Sequence, residues 1–138
     1  MAYQKNLWPS VGLAATFLLL LPTVTVAEPV DEESVTIDIL ARQFRPDQVE
    51  LRRGQTIVLI FENHDSELHA FVPGDLFAGV SLNIGGNGAP EFGPLGFKRV
   101  IIPPEGRAEI RFTPERLGEF TYLCDMPGHE MRGTIVVR

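Results

Sequence analysis

The ten residues from Tyr122 to Met131, YLCDMPGHEM, decide how the rest of the chain is interpreted. The residues that lead into this segment have the aromatic and β-branched composition of a strand, which delivers Cys124. Pro127-Gly128 then turns the chain before the last strand begins. One thiol, one imidazole and one thioether, from Cys124, His129 and Met131, are therefore gathered on a single short loop.

Short runs that suit β-strands lie upstream and downstream of this segment. They alternate apolar and polar residues or are rich in β-branched residues, and Gly or Pro turns separate them. About seven or eight strands spaced in this way predict an all-β fold, a two-sheet antiparallel sandwich. The predicted runs are Val35–Ile39, Phe44–Leu51 with a bend at Pro46, Thr56–Phe61, Leu68–Val72, Lys98–Ile102, Ala108–Phe112, Glu119–Cys124 and Gly133–Arg138.

Residues 73–97 are rich in Gly and Pro and show neither a helix nor a strand period. This composition predicts an irregular loop with at most a turn of helix. The loop carries more apolar side chains than solvation requires, among them Phe77 and Phe92. Since it follows His69 directly, one hypothesis places part of it as an apolar rim around the His129 ring, where a redox partner docks. The alternative is an ordinary Ω-loop that packs on itself.

The N-terminal residues have the three-part layout of a secretory signal. Lys5 precedes an apolar stretch from Val11 to Leu21, and the segment ends on small or modest side chains at Ala27. We predict a signal peptide over 1–27, a flexible acidic lead-in over 28–34 and one domain over 35–138. The protein is then periplasmic or secreted, with no membrane attachment after cleavage; an uncleaved anchor is the alternative.

The charge balance narrows the classes of partner. The chain has 18 Asp and Glu against 12 Lys and Arg, a net charge of −6. An acidic protein gains nothing from a phosphate backbone, so nucleic-acid binding is not expected. We expect a soluble monomer whose negative field favours basic partners.

Cys124 is the only cysteine in the chain. Exported proteins normally pair their cysteines in disulfides. A lone thiol is therefore buried and inert, paired with another chain, or used for a chemical function. With His69 from an earlier strand end, the chain offers two His, one Cys and one Met. This is the ligand set of a type 1 copper site, in which methionine is the weak axial ligand.

Several alternatives for individual ligands stay open at this point. His64 lies close to His69 and could replace it, although its surroundings are typical of an exposed turn. Glu67 or Glu130 could supply an oxygen in place of Met131, and the site would then lose its blue-copper character. Zinc is a poorer match than copper because a thioether is a poor zinc ligand.

At these residues the sequence resembles the cupredoxin family of plastocyanin-like and azurin-like blue copper proteins. The resemblance covers nearly all of residues 28–138. It rests on Phe44 and Pro46, Arg53–Thr56, Phe61–Asn63 leading to His69, Gly118–Cys124, Pro127–His129 and Met131–Thr134. It implies a Greek-key β-sandwich, one type 1 copper ion held by His69, Cys124, His129 and Met131, and single-electron transfer.

The sequence departs from the family pattern at two positions. Many members have several residues between the second His and the Met, whereas here only Glu130 separates His129 from Met131. The residue after the first His is often polar and ties the two ligand loops together, and here it is Ala70. Both departures bear on the redox potential and the colour of the site more than on copper binding.

The resulting functional hypothesis is a mobile single-electron carrier that serves larger redox proteins. The alternative is a module for copper delivery, buffering or resistance, in which the metal is cargo. The chain lacks a Met-rich or His-rich tract, which favours fixed copper over cargo. We do not expect an enzyme, because no nucleophilic triad or second metal cluster is evident in the sequence.

Overall fold

The computed structural model describes residues 31–138, which form eleven β-strands. In chain order the strands are β1 Glu32–Ile39, β2 Phe44–Arg45, β3 Gln48–Leu51, β4 Thr56–Asn63, β5 His69–Phe71, β6 Asn83–Gly86, β7 Ala89–Gly93, β8 Gly96–Ile102, β9 Arg107–Phe112, β10 Gly118–Leu123 and β11 Arg132–Val137. The all-β class predicted from the sequence is confirmed.

The strands form one large sheet and two small ones. The large sheet has the order β2-β1-β4-β9-β6, and the small sheets have the orders β10-β11-β3 and β5-β8-β7. A two-way bridge between Val72 and Leu123 joins the small sheets. The pairs β1–β4 and β11–β3 are parallel and the other pairs are antiparallel, so the sandwich is mixed rather than purely antiparallel.

The core lies between the large sheet and the small sheets, where inward-facing aromatic rings interlock. Phe61 of β4 lies 4.3 Å from Phe71 of β5 and 6.1 Å from Tyr122 of β10, measured between ring centroids. Phe44 packs edge-on against Tyr122 at 4.8 Å. Buried aromatic pairs of this kind stabilise a fold by about 0.5–1.5 kcal/mol each beyond their area burial. They hold β5 and β10 side by side.

The predicted irregular loop over 73–97 is wrong in its second half. A turn region continues to Val80, but β6 pairs with β9, and β7 and β8 form a hairpin through Pro94-Leu95. Most residues of β6 and β7 are exposed on both faces, so their hydropathy has no reason to alternate. Backbone hydrogen bonds alone define these strands, and this explains both the missing signal and the higher strand count.

The N-terminal predictions fall largely outside the structure. The proposed signal peptide, residues 1–27, lies outside the described residues, as do residues 28–30. Strand β1 begins at Glu32, three residues before its alternating pattern predicts, because residues 32–34 pair with Thr56 to Val58 of β4. No helix within residues 31–138 could span a membrane.

Candidate metal centre

The fold brings His69 and Cys124 together by joining the two strands that carry them. His69 is the first residue of β5, and Cys124 directly follows β10. Val72 and Leu123 exchange backbone hydrogen bonds of 2.9 and 3.1 Å, which fixes β5 beside β10. The amide of Ala70 then donates to the Cys124 sulfur at 3.3 Å. The backbone of Ala70 thus links the two ligand segments where the family more often has a polar side chain.

A tight turn returns the chain from Cys124 to Met131. Gly128 has φ +78°, a left-handed conformation that favours glycine over residues with a Cβ. The His129 amide donates to the Met126 carbonyl at 3.0 Å, and the Cys124 amide donates to the Met131 carbonyl at 3.1 Å. These bonds close the loop and hold His129 over Cys124.

The three predicted strong ligands converge on one point. The Cys124 sulfur lies 4.0 Å from Nδ1 of His69 and 3.5 Å from Nδ1 of His129. The ligand atoms of the three residues all lie within 4.8 Å of one another. His69 and Cys124 are 0% and 3% exposed, and the His129 side chain is 6% exposed. The cluster therefore lies at the end of the core and is shielded from solvent.

Asp65 orients the first imidazole. Its carboxylate accepts a 2.8 Å hydrogen bond from Nε2 of His69, which leaves Nδ1 to face the Cys124 sulfur. Hydrogen bonds of this kind are the usual way in which a ligand histidine is fixed in one orientation. Burial opposes ionisation of Asp65, but the amides of Arg42 and Ala41 and the His69 ring outweigh it and lower the pKa of Asp65.

The β1–β2 turn holds Asp65 in place through two consecutive backbone amides. Ala41 and Arg42 donate to the two carboxylate oxygens of Asp65 at 2.7 and 2.9 Å. Both residues have positive φ, 53° and 55°, which is unfavourable for residues with a Cβ. The charge-assisted hydrogen bonds to the Asp65 carboxylate compensate for this unfavourable backbone conformation. The turn and the His69 segment therefore depend on one another.

Asn63 anchors the segment between β4 and His69 from inside. Its side chain is buried, and its two N–H groups are shared among the carbonyls of Glu67 and Pro103, both at 2.9 Å, and of Ile102 at 3.3 Å. Its oxygen accepts from the Asp65 amide at 3.0 Å. This single side chain satisfies both ends of the loop that precedes the first ligand.

A charged pair covers the outer edge of the second imidazole. Nε2 of His129 lies 3.5 Å from a carboxylate oxygen of Glu67. Arg42 binds the same carboxylate through two hydrogen bonds of 2.5 and 2.7 Å. The hydrogen bond and charge of Arg42 are the main cause of a lowered pKa for Glu67. Since Glu67 is on the Nε2 side of the ring and Cys124 on the Nδ1 side, Glu67 lies outside the ligand cluster.

The remaining candidates for the axial position differ in burial. Met131 is 3% exposed and lines the same pocket as Cys124 and His129. Glu130 lines this pocket too but is exposed. A thioether at a buried position is compatible with an axial ligand, whereas an exposed carboxylate is typical of a solvated surface residue. Burial therefore favours Met131.

His64 does not join the cluster. Its Nε2 lies 2.8 Å from a carboxylate oxygen of Asp38, and its side chain is 46% exposed. This pair raises the pKa of His64, chiefly through the hydrogen bond to Asp38. His64 is thus a surface histidine, and His69 is the histidine that faces Cys124.

The two aromatic side chains named in the hypothesis of an apolar rim, Phe77 and Phe92, do not lie beside His69, and partner docking by residues 73–97 stays a prediction. His69 pairs with Ile102 at one end of β8, whereas Phe92 pairs with Phe97 near the other end. Five residues of strand separate these positions by about 16 Å. Phe77 packs against Phe97 and is likewise directed away from His129. The chain runs from His69 toward the opposite end of the sandwich, so Phe77 and Phe92 are close to His69 in the sequence but not in space.

The donor set of the cluster fits one copper ion. A thiolate and two imidazoles at mutual distances of a few ångströms, with a thioether in the same pocket, match the preferences of copper for soft sulfur and nitrogen ligands. Closed zinc sites, in contrast, usually contain several thiolates. Such a site provides a metal centre that can accept and donate a single electron.

Three residues that organise the site carry no clear sequence signal. Asn63 and Asp65 have the composition of an ordinary turn, and three strands, β2, β3 and β4, separate Arg42 from Glu67 in the sequence. The four-residue spacing from Asp65 to His69 is the only local hint of their contact. The Asn63 and Arg42 contacts depend on the tertiary fold.

The geometry defines a β-sandwich with a buried mononuclear metal site. The sequence profile of the cupredoxin-like domain matches residues 11–137, and the chain belongs to that family. Two similar solved structures are auracyanin A, a blue copper protein from the green thermophilic photosynthetic bacterium Chloroflexus aurantiacus, and auracyanin B. The first has 19% identity and a TM-score of 0.58 over 78% of this chain and 99% of its own. The second has 20% identity and a TM-score of 0.56 over 82% and 93%. At this identity they establish the fold. No curated protein matches the sequence significantly.

Proposed function

We propose that this protein is an exported single-electron carrier with one type 1 copper ion. The ligands are His69, Cys124 and His129, with Met131 in the axial position. The observation that carries the proposal is the orientation of the two Nδ1 atoms, which face the buried Cys124 sulfur at 4.0 and 3.5 Å. The bound copper supplies a redox centre that alternates between two oxidation states.

The protein contributes rigidity to such a site. Asp65 fixes the ring of His69, and the Ala70 amide fixes the Cys124 sulfur. Ligands that cannot rearrange reduce the structural change that accompanies each electron transfer, and hydrogen bonds to the sulfur tune the redox potential. These features favour an electron carrier over a site that must release its metal.

The burial of the ligands argues against an enzyme. His69, Cys124 and Met131 are each at most 3% exposed, and the His129 side chain is 6% exposed. A catalytic metal keeps an open position for water or substrate. With four enclosed ligands the site suits electron exchange through the His129 edge. The secretory pattern of residues 1–27 supports an extracytoplasmic location, and binding of Cys124 to the metal would explain why an exported protein keeps one unpaired thiol.

The test is repeated redox cycling of the copper-loaded protein in the presence of a Cu(I) chelator. We expect a reversible one-electron wave and full retention of one copper per chain. The Cys124→Ser variant should lose the wave, whereas His64→Gln should keep it because His64 lies outside the cluster. Transfer of copper to the chelator in the reduced state would instead support the cargo function.

A further inference from the structure

A cavity that the proposed function does not use lies between the turn region after β5 and the β7–β8 hairpin. Its volume is about 670 Å³. Cavities of roughly 300–1,000 Å³ are typical of small-molecule sites. Phe97 and Lys98 line it at the start of β8, whereas His69 pairs with Ile102 at the end of that strand. The cavity therefore shares no residue with the metal centre.

The walls of the cavity are apolar. Phe77 is buried and packs edge-on against Phe97, with 5.7 Å between ring centroids. Val80 and Leu82 are partly buried and continue this wall. Leu95, at the tip of the hairpin, is fully exposed on the rim. Apolar surface of this kind gains free energy when a ligand removes it from water.

Glycines leave space beside these walls. Gly79, Gly93 and Gly96 line the cavity, and a Cβ at any of the three would meet no atom of another segment within 4 Å. The chain's own side chains therefore do not fill the cavity, and its apolar walls remain accessible.

The charges at the cavity favour an anion. Asp75 and Lys98 alone have polar side chains among the lining residues of the described chain. Arg116 donates to the Asp75 carboxylate at 3.3 Å and to its backbone carbonyl, which compensates the charge of Asp75. Lys98 is exposed and belongs to no ion pair within residues 31–138. The cavity thus offers one uncompensated cation on a chain of net charge −6.

We propose that this cavity binds an anionic amphiphile of the fatty-acid class, with its acyl chain along Phe77 and Phe97 and its carboxylate beside Lys98. A sugar or nucleotide would leave most of its polar groups unpaired against these walls, whereas an alkyl chain has none to satisfy. One cation matches one negative headgroup. The site goes beyond the proposed function and does not depend on the metal.

The first test measures ligand binding by isothermal titration calorimetry below the critical micelle concentration. We expect one laurate per chain, in both the copper-free and the Cu(I) form. Decanoate should bind about tenfold more weakly, because each buried methylene changes the affinity by about fourfold. Dodecyltrimethylammonium should bind more weakly than laurate, although the net charge of the protein favours a cation. Equal affinity for both headgroups, or no dependence on chain length, would overturn the proposal.

The second test uses variants of exposed side chains, which should fold normally. Lys98→Gln should weaken laurate binding by about two- to fivefold, the effect of one exposed ion pair. Leu95→Ser should weaken it by about fivefold through lost apolar contact. Arg45→Gln is the matched control, because Arg45 is exposed on β2, hydrogen-bonds to Gln43 and lies outside the cavity. An equal loss of affinity in Arg45→Gln and Lys98→Gln would assign the effect to net charge and overturn the site.

The third test locates the ligand and examines other occupants. Backbone amide NMR shifts on addition of laurate should be confined to residues 74–82 and 92–98 and should saturate; shifts centred on 124–131 would overturn the proposal. So would sedimentation with phosphatidylcholine–phosphatidylglycerol vesicles, or a dimer in light scattering, that Leu95→Ser abolishes, since a membrane or a second copy would then cover the cavity. Laurate should leave the visible spectrum of the copper-loaded protein unchanged. Failure of redox cycling with intact laurate binding would contradict the proposed function alone.

Discussion

Replacement of Asn63 by Ala tests whether the first ligand segment is held from inside the core. The two N–H groups of the Asn63 side chain are shared among three carbonyls, those of Glu67 and Pro103 at 2.9 Å and that of Ile102 at 3.3 Å, and its oxygen accepts a third hydrogen bond from the Asp65 amide at 3.0 Å. A buried hydrogen bond contributes about 1 kcal/mol net, and the carbonyls left unpaired add a cost. We therefore expect Asn63→Ala to lower the free energy of unfolding by roughly 3 kcal/mol.

Urea unfolding of the copper-free protein measures this change directly, and thermal unfolding should show a decrease in Tm of roughly 10–15 °C for a domain of this size. The carbonyl of Glu67 belongs to the loop that leads to His69, so copper affinity should fall as well. Asn87→Ala is the control. Asn87 is exposed and accepts one 2.7 Å hydrogen bond from the Arg107 amide, so its replacement should cost at most about 1 kcal/mol.

The reasoning would be refuted by an Asn63→Ala variant as stable as Asn87→Ala. In that case the hydrogen bonds to Glu67 and Pro103 would not be what holds the loop. Unchanged copper affinity together with a large loss of stability would separate the two roles: Asn63 would support the fold without positioning His69.

Three further predictions concern residues around and away from the site. Tyr122→Phe should raise the free energy of unfolding by about 1 kcal/mol in urea, because the buried Tyr122 hydroxyl has no hydrogen-bond partner within residues 31–138; a loss of stability would contradict this. His64→Gln should remove a pH-dependent contribution to stability, because the hydrogen bond to Asp38 raises the pKa of His64. The wild type should be more stable than the variant below about pH 6.5 and lose this advantage as the pH rises through the raised pKa. A stability difference that grows with pH in unfolding curves would count against the His64–Asp38 pair. Phe92→Ser should leave the electron self-exchange rate and the visible spectrum unchanged, because Phe92 lies about 16 Å along β8 from the position that pairs with His69. A slower rate would indicate that electron exchange takes place at the Phe92 end of β8.

The convergence of the candidate ligands could be predicted from sequence because their signal is local. Cys124, His129 and Met131 share one turn, and Pro127-Gly128 marks that turn without reference to the rest of the chain. The prediction for His69 required one long-range assumption, that its strand lies beside the strand that precedes Cys124. The bridge between Val72 and Leu123 accounts for this arrangement. The regular strands were predictable for the same reason, since burial of one face imposes an alternating pattern.

What could not be predicted depends on contacts between distant segments. Strands β6 and β7 are mostly exposed on both faces, so only backbone pairing with β9 and β8 defines them. The Arg42–Glu67 cover over His129 joins two loops that become neighbours only through the sheet. The position of Phe92 could not be predicted from its distance along the chain after His69, because β5 carries the chain away from the site.

The central claim is that the Cys124 sulfur and the two histidine Nδ1 atoms bind one copper ion. The most direct measurement is the visible absorption and EPR spectrum of the protein with one equivalent of Cu(II), beside Cys124→Ser. We predict an intense thiolate-to-copper band with narrow hyperfine splitting in the wild type and its loss in the variant. A colourless copper complex with the same EPR spectrum in both proteins would contradict the account.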